Sequence, residues 1–167
     1  MPLLNWNIGR YRILAKVVDF YPLQLKDAFY QECSLCKKEI PNKQVACFKC
    51  GDSDHEYVRY FYQMYIMIED QGGEQIKISI NDKCPLLNGL KRAHLHDDKS
   101  TLHQFCKRVD PLVGNLTTMH DKLVSGQTVN LEAVTPLLCF EIDTWVVVPE
   151  AIRAFSLNRY EPAPSAS

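Results

Sequence analysis

Hydrophobic and polar positions along this chain change period twice, and the changes divide it into elements. From Gly9 to Phe20, residues Tyr11, Ile13, Ala15 and Val17 share one parity, the two-residue period of a strand with one buried face. The segment Tyr21 to Tyr30 lacks that rhythm and is expected to hold a turn or short helix. Tyr57 to Glu69, rich in Tyr, Phe, Ile and Met, has the length and aromatic content of a long strand. Asp70-Gln71-Gly72-Gly73 supplies a hairpin turn, and Gln75 to Ile80 then alternates cleanly. Next the period becomes helical. Leu102, Phe105, Cys106 and Val109 form one stripe, and Pro111 is expected to end that helix at Asp110. Leu116, Met119, His120 and Leu123 repeat the spacing, with Gly126 as the stop. Leu138, Phe140, Ile142 and Val146 return to strand parity, interrupted by Thr144. Pro149-Glu150 makes a turn, and Ile152 to Tyr160 is the returning strand.

Two cysteine pairs interrupt the early pattern: Cys33-Ser34-Leu35-Cys36 and Cys47-Phe48-Lys49-Cys50. Thiolates two residues apart grip one ion from a single tight turn, and two such turns supply the four sulfurs of a tetrahedral Zn²⁺ site. Gly51 fits the fold-back of a knuckle. A redox dithiol normally comes singly beside a βαβ pattern, and none surrounds these pairs. His55 is an alternative ligand to one sulfur. Four cysteines leave no open position, so Cys33, Cys36, Cys47 and Cys50 are expected to hold a structural zinc.

The element order is therefore strand, metal insertion, strand–hairpin–strand, helices, strand–hairpin–strand. It describes a mainly β fold with helices: a five-stranded OB-fold barrel, with a zinc-ribbon insertion between strands 1 and 2 and a helical segment between strands 3 and 4. One domain is expected over 1–160, with the zinc insertion at 31–54 and the helical segment at 85–125. The Pro/Ala/Ser stretch 161–167 is expected to be a disordered tail. The opening Met1-Pro2-Leu3-Leu4-Asn5-Trp6 reads as the start of a segment excised from a longer protein.

Charge narrows the partners. Nineteen basic and twenty acidic side chains among 167 residues give a net charge of −1, whereas a domain built mainly to hold phosphates carries a basic excess. No apolar run is long enough to span a bilayer, so no membrane partner is expected. Seven cysteines, an odd number with four in metal spacing, point to a reducing compartment such as cytosol or nucleus. Cys84, Cys106 and Cys139 are expected as small buried apolar residues. No Ser/His/Asp arrangement or phosphate-cradling glycine loop is present, so no catalytic residue is expected.

Several segments together resemble a known family. Arg12-Ile13-Leu14-Ala15-Lys16-Val17-Val18-Asp19-Phe20-Tyr21-Pro22 ahead of Cys33-Ser34-Leu35-Cys36, the strand and hairpin Tyr60 to Gly73, and Leu137-Leu138-Cys139-Phe140-Glu141-Ile142 resemble the third, C-terminal OB domain of the protection-of-telomeres proteins. That domain is related to the C-terminal OB domain of the replication protein A large subunit. Animal members carry a large resolvase-like insertion between the cysteine pairs; ten residues stand here, as a fungal-type member would have. The resemblance implies a nuclear protein at chromosome telomeres. Its other domains would hold single-stranded telomeric DNA, while this domain docks a protein, the shelterin bridging subunit. The alternative it leaves open is a single-stranded DNA-binding domain of the replication protein A type.

Candidate surfaces follow. Leu112, Val113, Leu116 and Met119 could form a groove that receives an apolar segment of a partner. Trp145 lies opposite the apolar parity of its strand, as an interface residue or packed under the helices. Tyr57, Tyr60, Phe61, Tyr62 and Tyr65 either stack on bases or fill the core, with Tyr60 and Tyr62 on one face and Phe61 and Tyr65 on the other. The basic doublets Lys37-Lys38, Lys91-Arg92 and Lys107-Arg108 read mostly as solvated surface. Lys37, Lys38, Lys43 and Lys49, on the metal insertion, are the candidates for contact with DNA. His94, His96 and His103 would form a second metal site only if they converged; exposed loop histidines are the default.

Overall fold

Two 13-residue strands organise the molecule. The computed structural model describes residues 9–41, 44, 46–50, 57–130, 132–147 and 152–164. Strand β1 spans Gly9–Tyr21, β2 Phe29–Cys33, β3 Glu39–Ile40, β4 Val58–Asp70, β5 Gln75–Asn81, β6 Leu138–Val147 and β7 Ile152–Pro162. Helices α1 (Lys99–Val113) and α2 (Leu116–Val124) fall between β5 and β6. The first half of β1 pairs antiparallel with β6, from Gly9↔Thr144 to Ala15↔Leu138. From Ala15 to Tyr21 β1 pairs antiparallel with β4, with a bulge between Val17 and Asp19. Strand β4 pairs with β5 through Gln63↔Asn81 to Glu69↔Gln75, and β5 meets β7 in parallel at Ser79↔Ser156. Antiparallel β6–β7 pairing completes a closed ring of five strands, β1–β4–β5–β7–β6.

The ring exists because each strand carries an apolar row on one parity. Met64, Ile66 and Ile68 of β4, Ile76, Ile78 and Ile80 of β5, and Phe140 and Ile142 of β6 are essentially fully buried inside it. Helices close one mouth, with Phe105, Val109, Leu112 and Val113 completely buried against the strands. A side chain of this size contributes on the order of 2 kcal/mol when buried, so the isoleucine rows dominate the folding free energy. No helix among the described residues is long and apolar enough to cross a membrane.

Four expectations are corrected. Among the described residues the sheet has seven strands, because β2 and β3 were hidden in the segment assigned to a turn and a metal loop. Both belong to the lobe beside the ring. Helix α1 does not stop at Asp110 but runs through Pro111 to Val113. A proline in the last turn removes one hydrogen bond, to the Lys107 carbonyl, and burial of Leu112 and Val113 offsets it. Strand β7 continues to Pro162, where Leu138↔Pro162 and Cys139↔Glu161 pairing and an ion pair from Arg12 to Glu161 extend the order past residue 160. Residues 165–167 of the expected tail lie outside the described residues. Leu112, Val113 and Leu116 are core residues, 0, 0 and 3% exposed, so they offer no partner a surface.

Candidate metal centre and outer groove

Strand β4 belongs to two structures at once. Its second half is in the ring; its first half, Val58 to Tyr62, pairs with β2 from Cys33↔Val58 to Phe29↔Tyr62. Cys33 is thereby fixed at the end of β2, opposite Val58 of the strand that runs on into the ring. The chain then turns sharply. The Lys37 N–H donates to the Cys33 carbonyl at 2.8 Å, and the Cys33 N–H donates to the Lys38 carbonyl at 3.0 Å. The turn needs a left-handed residue after the second cysteine, and Lys37 takes it with φ of 61°. The Ser34 N–H donates to the Tyr57 carbonyl at 2.8 Å, tying the knuckle to the entry of β4. Gln31, only 1% exposed, donates its amide to the carbonyls of Pro41 and Gln44, which holds the second arm against β2.

The second pair sits on a 3-10 turn, Phe48–Cys50. It faces the first across a small core of Cys33, Ile40, Cys47 and Val58. All four ligand sulfurs lie within 4.8 Å of one another. Cys33 Sγ is 3.7 Å from Cys50 Sγ, and Cys36 Sγ is 3.8 Å from Cys47 Sγ. A tetrahedron of sulfurs at about 2.3 Å from a central ion has edges of about 3.8 Å. A disulfide would need about 2.05 Å, and all four thiols are free. The donor set and its spacing therefore fit a tetrahedral thiophilic cation. Backbone N–H groups of Cys36 and then Leu35 hold the Cys33 thiol down to about 7, while the Cys50 thiol, bonded to Cys33, is pushed up to about 12. Lys37, Lys38 and Lys49 are exposed on this lobe. Lys43, Gly51 and His55 lie outside the described residues.

A groove crosses the outer face of the ring. Tyr65 and Met67 of β4, Lys77 and Ser79 of β5 and Trp145 of β6 line it, and it encloses about 770 Å³. It continues into a cleft of about 350 Å³ at the β5–β7 seam, where Asn81, Asp143, Ser156 and Asn158 add polar groups. Trp145 is 39% exposed, so the outward parity read from its strand holds and it does not pack under the helices. Lys77 Nζ lies 4.2 Å from the centre of the Tyr65 ring. Lys77 and Lys83 are the only cations among the described lining residues, and Asp143 is already paired with Arg10 at 2.8 Å. The groove is polar and aromatic rather than basic.

The other candidates sort plainly. Tyr62 is buried, its hydroxyl bonded to the Lys91 carbonyl, and burial pushes it up to about 12. Tyr60 is half-buried against Phe29 and His94. Phe61 stacks on Tyr30 at 5.4 Å beneath Arg92, and Tyr65 alone of the run reaches the groove. His94 packs on Phe29 and His96 pairs with Asp27 at 2.7 Å. Among the described residues, the four thiols form the only cluster of metal-ligating groups. Met119 is half-buried against the core. Sequence reasoning missed the rest of the groove, although the polar parity of Lys77 and Ser79 opposite Ile76 and Ile78 marked the face.

No protein-family model matches the chain. No curated protein matches it either. Among solved structures, it is similar to a chain in the crystal structure of fission yeast Pot1 and Tpz1. The TM-score is 0.65 at 13% identity, covering 95% of this chain and 86% of that one. A replication protein A heterotrimer bound to single-stranded DNA also aligns, over 96% of this chain and 33% of that one, at 14% identity and a TM-score of 0.46. The first likeness establishes a shared fold; the second is too distant to add to it.

Proposed function

We propose that this chain is an OB-type domain of the telomere end-protection kind, with a structural zinc held by Cys33, Cys36, Cys47 and Cys50. Its task is to dock a protein, the bridging subunit of a shelterin-like complex. Other domains of the full-length protein hold single-stranded telomeric DNA. One observation carries the reading: a five-strand ring with a four-thiol lobe between its first and second strands and two helices between its third and fourth. A chain in the crystal structure of Pot1 and Tpz1 has a similar fold over 86% of its length. The working unit extends through the end of β7 at Pro162, the setting is the nucleus at chromosome ends, and the domain performs no catalysis. The zinc would pin the lobe to β4 and leave no ligand position for chemistry. A groove with two lysines and a polar and aromatic lining suits a peptide better than a run of phosphates.

One observation favours the second reading, single-stranded DNA binding of the replication protein A type: two rings, Tyr65 and Trp145, stand along one groove, and bases stack on such platforms. The metal-lobe lysines Lys37, Lys38, Lys43 and Lys49 would then track the backbone. Titrating the domain with the bridging protein and, separately, with single-stranded telomeric DNA decides between them. Partner binding that weakens in Trp145→Ala, with DNA binding weak or absent, supports the docking reading. Submicromolar DNA binding that falls steeply with salt, without partner binding, replaces it.

A further inference from the structure

The helix that caps the ring carries a second stripe that the core does not use. Phe105, Val109 and Leu112 of α1 are completely buried. Lys99, Leu102, His103 and Cys106 stand at i, i+3, i+4 and i+7 on another line of the same helix. Leu102 and Cys106 are half-buried, and Lys99 and His103 are exposed. With Lys26 from the 3-10 turn Leu25–Asp27, they border a cleft of about 560 Å³ over Leu95.

This cleft is separate from the groove that holds Tyr65 and Trp145. It has an apolar floor and a rim of nitrogen donors; His96 on that rim is bonded to Asp27, and Lys26, Lys99 and His103 remain. The carboxylates around it are engaged or peripheral: Asp27 pairs with His96, and Asp98 caps α1 through the Thr101 N–H and meets Lys91 at 3.3 Å. Among the described residues, no ion pair reaches Lys26, Lys99 or His103. Half-open apolar groups inside a ring of free donors are complementary to an apolar side chain flanked by carboxylates.

We propose that this cleft is a second docking site, for an acidic segment of a protein with leucine-like side chains among glutamates or aspartates. The aliphatic side chain would rest on Leu102 and Cys106, and Lys26 and Lys99 would take the flanking carboxylates. A nucleic-acid strand fits less well. The apolar floor would offer its phosphates nothing.

The probe is a fluorescein-labelled peptide of about a dozen residues, two leucines among glutamates, followed by anisotropy with the zinc-loaded chain. Two controls accompany it: the same peptide with glutamine for every glutamate, and an oligothymidylate of similar length. The acidic peptide should bind in the micromolar range. Binding should weaken about tenfold or more in Lys26→Glu/Lys99→Glu, weaken with added salt, and weaken less in His103→Ala. Both lysines are exposed, and a glutamate at the first position of α1 suits the helix dipole, so the double variant should keep its melting temperature. The proposal falls if the acidic peptide shows no binding on the order of 100 µM. Equal binding of the glutamine peptide, or an unchanged affinity in the double variant, also overturns it. Oligothymidylate binding lost in the same variant would make the cleft a nucleic-acid site instead. None of these outcomes depends on Trp145 or on the bridging protein, so the cleft and the groove stand or fall separately.

Discussion

His120 of α2 and Asp19 of β1, 101 residues apart in sequence, meet at 2.8 Å inside the junction between helix cap and ring. The other ring nitrogen, Nδ1, faces the Leu23 carbonyl at 2.8 Å, and the ring stacks on Phe20 at 4.0 Å. A carbonyl and a carboxylate only accept hydrogen bonds, so both contacts are made in full when each ring nitrogen donates. The clip therefore ties α2 to Asp19 at the bulge in the β1–β4 pairing. His120→Ala removes two bonds, one of them to a charged group, and leaves a void beside Phe20. The expected cost is about 2 kcal/mol in urea unfolding. A loss below about 0.5 kcal/mol would mean that the junction holds without the clip.

Gly114 is the point at which α1 must end. Its φ is 51°, and a Cβ added there would lie 2.1 Å from the Val134 carbonyl oxygen. Asn115 fixes that approach from both sides: its amide nitrogen donates to the Glu132 carbonyl, and its amide oxygen accepts from the Val134 N–H. Gly114→Ala should destabilise by about 2–4 kcal/mol, since backbone must move to admit it. Gly73→Ala makes a control, with φ of 85° but open space around the Cβ, and should cost about 1 kcal/mol. Similar losses in the two variants would assign the Gly114 effect to φ alone.

Locally encoded features were legible in the sequence, and distant ones were not. Gln75 to Ile80 alternates and is β5; Tyr57 to Glu69 is aromatic and long and is β4 within a residue at each end. The thiol cluster was legible because two short spacings specify it. Phe29-Tyr30-Gln31-Glu32-Cys33 also alternates, buried and half-buried in turn, but the run straddles the segment read as a turn or short helix and the start of the metal insertion. The stripe through Leu112 and Leu116 showed that one helical face is apolar. It could not say whether a partner or the ring lies beneath, because that depends on β1 and β6 closing over it. The His120–Asp19 clip has no sequence signature at all, since no local period links α2 to the β1 bulge.

Asp98 gives α1 an acid-sensitive start. Its carboxylate accepts from the Thr101 N–H at 3.0 Å, and that bond, ahead of Lys91, holds its pKa below the ordinary aspartate value. The unfolded chain titrates Asp98 at about 3.9. Stability from this cap is therefore complete above that pH and is lost as pH falls through the lower, folded value. Asp98→Asn keeps an acceptor at the cap without the titration. The stability difference between wild type and variant should be constant near neutrality and shrink as pH falls below about 4. A difference that stays constant down to acid unfolding would remove Asp98 from the acid limb.

Loading the metal centre should expel protons. In the metal-free lobe the N–H groups of Cys36 and Leu35 hold Cys33 down to about 7, so it is partly thiolate at neutral pH. Cys50, hydrogen-bonded to Cys33, is pushed up to about 12 and stays a thiol. A tetrahedral cation needs four thiolates, so binding at neutral pH must release the Cys50 proton and others with it. Falling pH returns those protons, so affinity for zinc should drop as pH falls, and with it the stability that the metal adds. Calorimetry in two buffers of different ionisation enthalpy should show a net proton release on zinc binding, with one zinc per chain. Cys50→Ser should lose the metal and the amide-exchange protection of Cys33 and Lys37, while Ile66 and Ile78 stay protected because their strands pair within the ring. Zinc uptake without proton release, or a full equivalent retained by Cys50→Ser, would mean that the ion is not held by these four sulfurs.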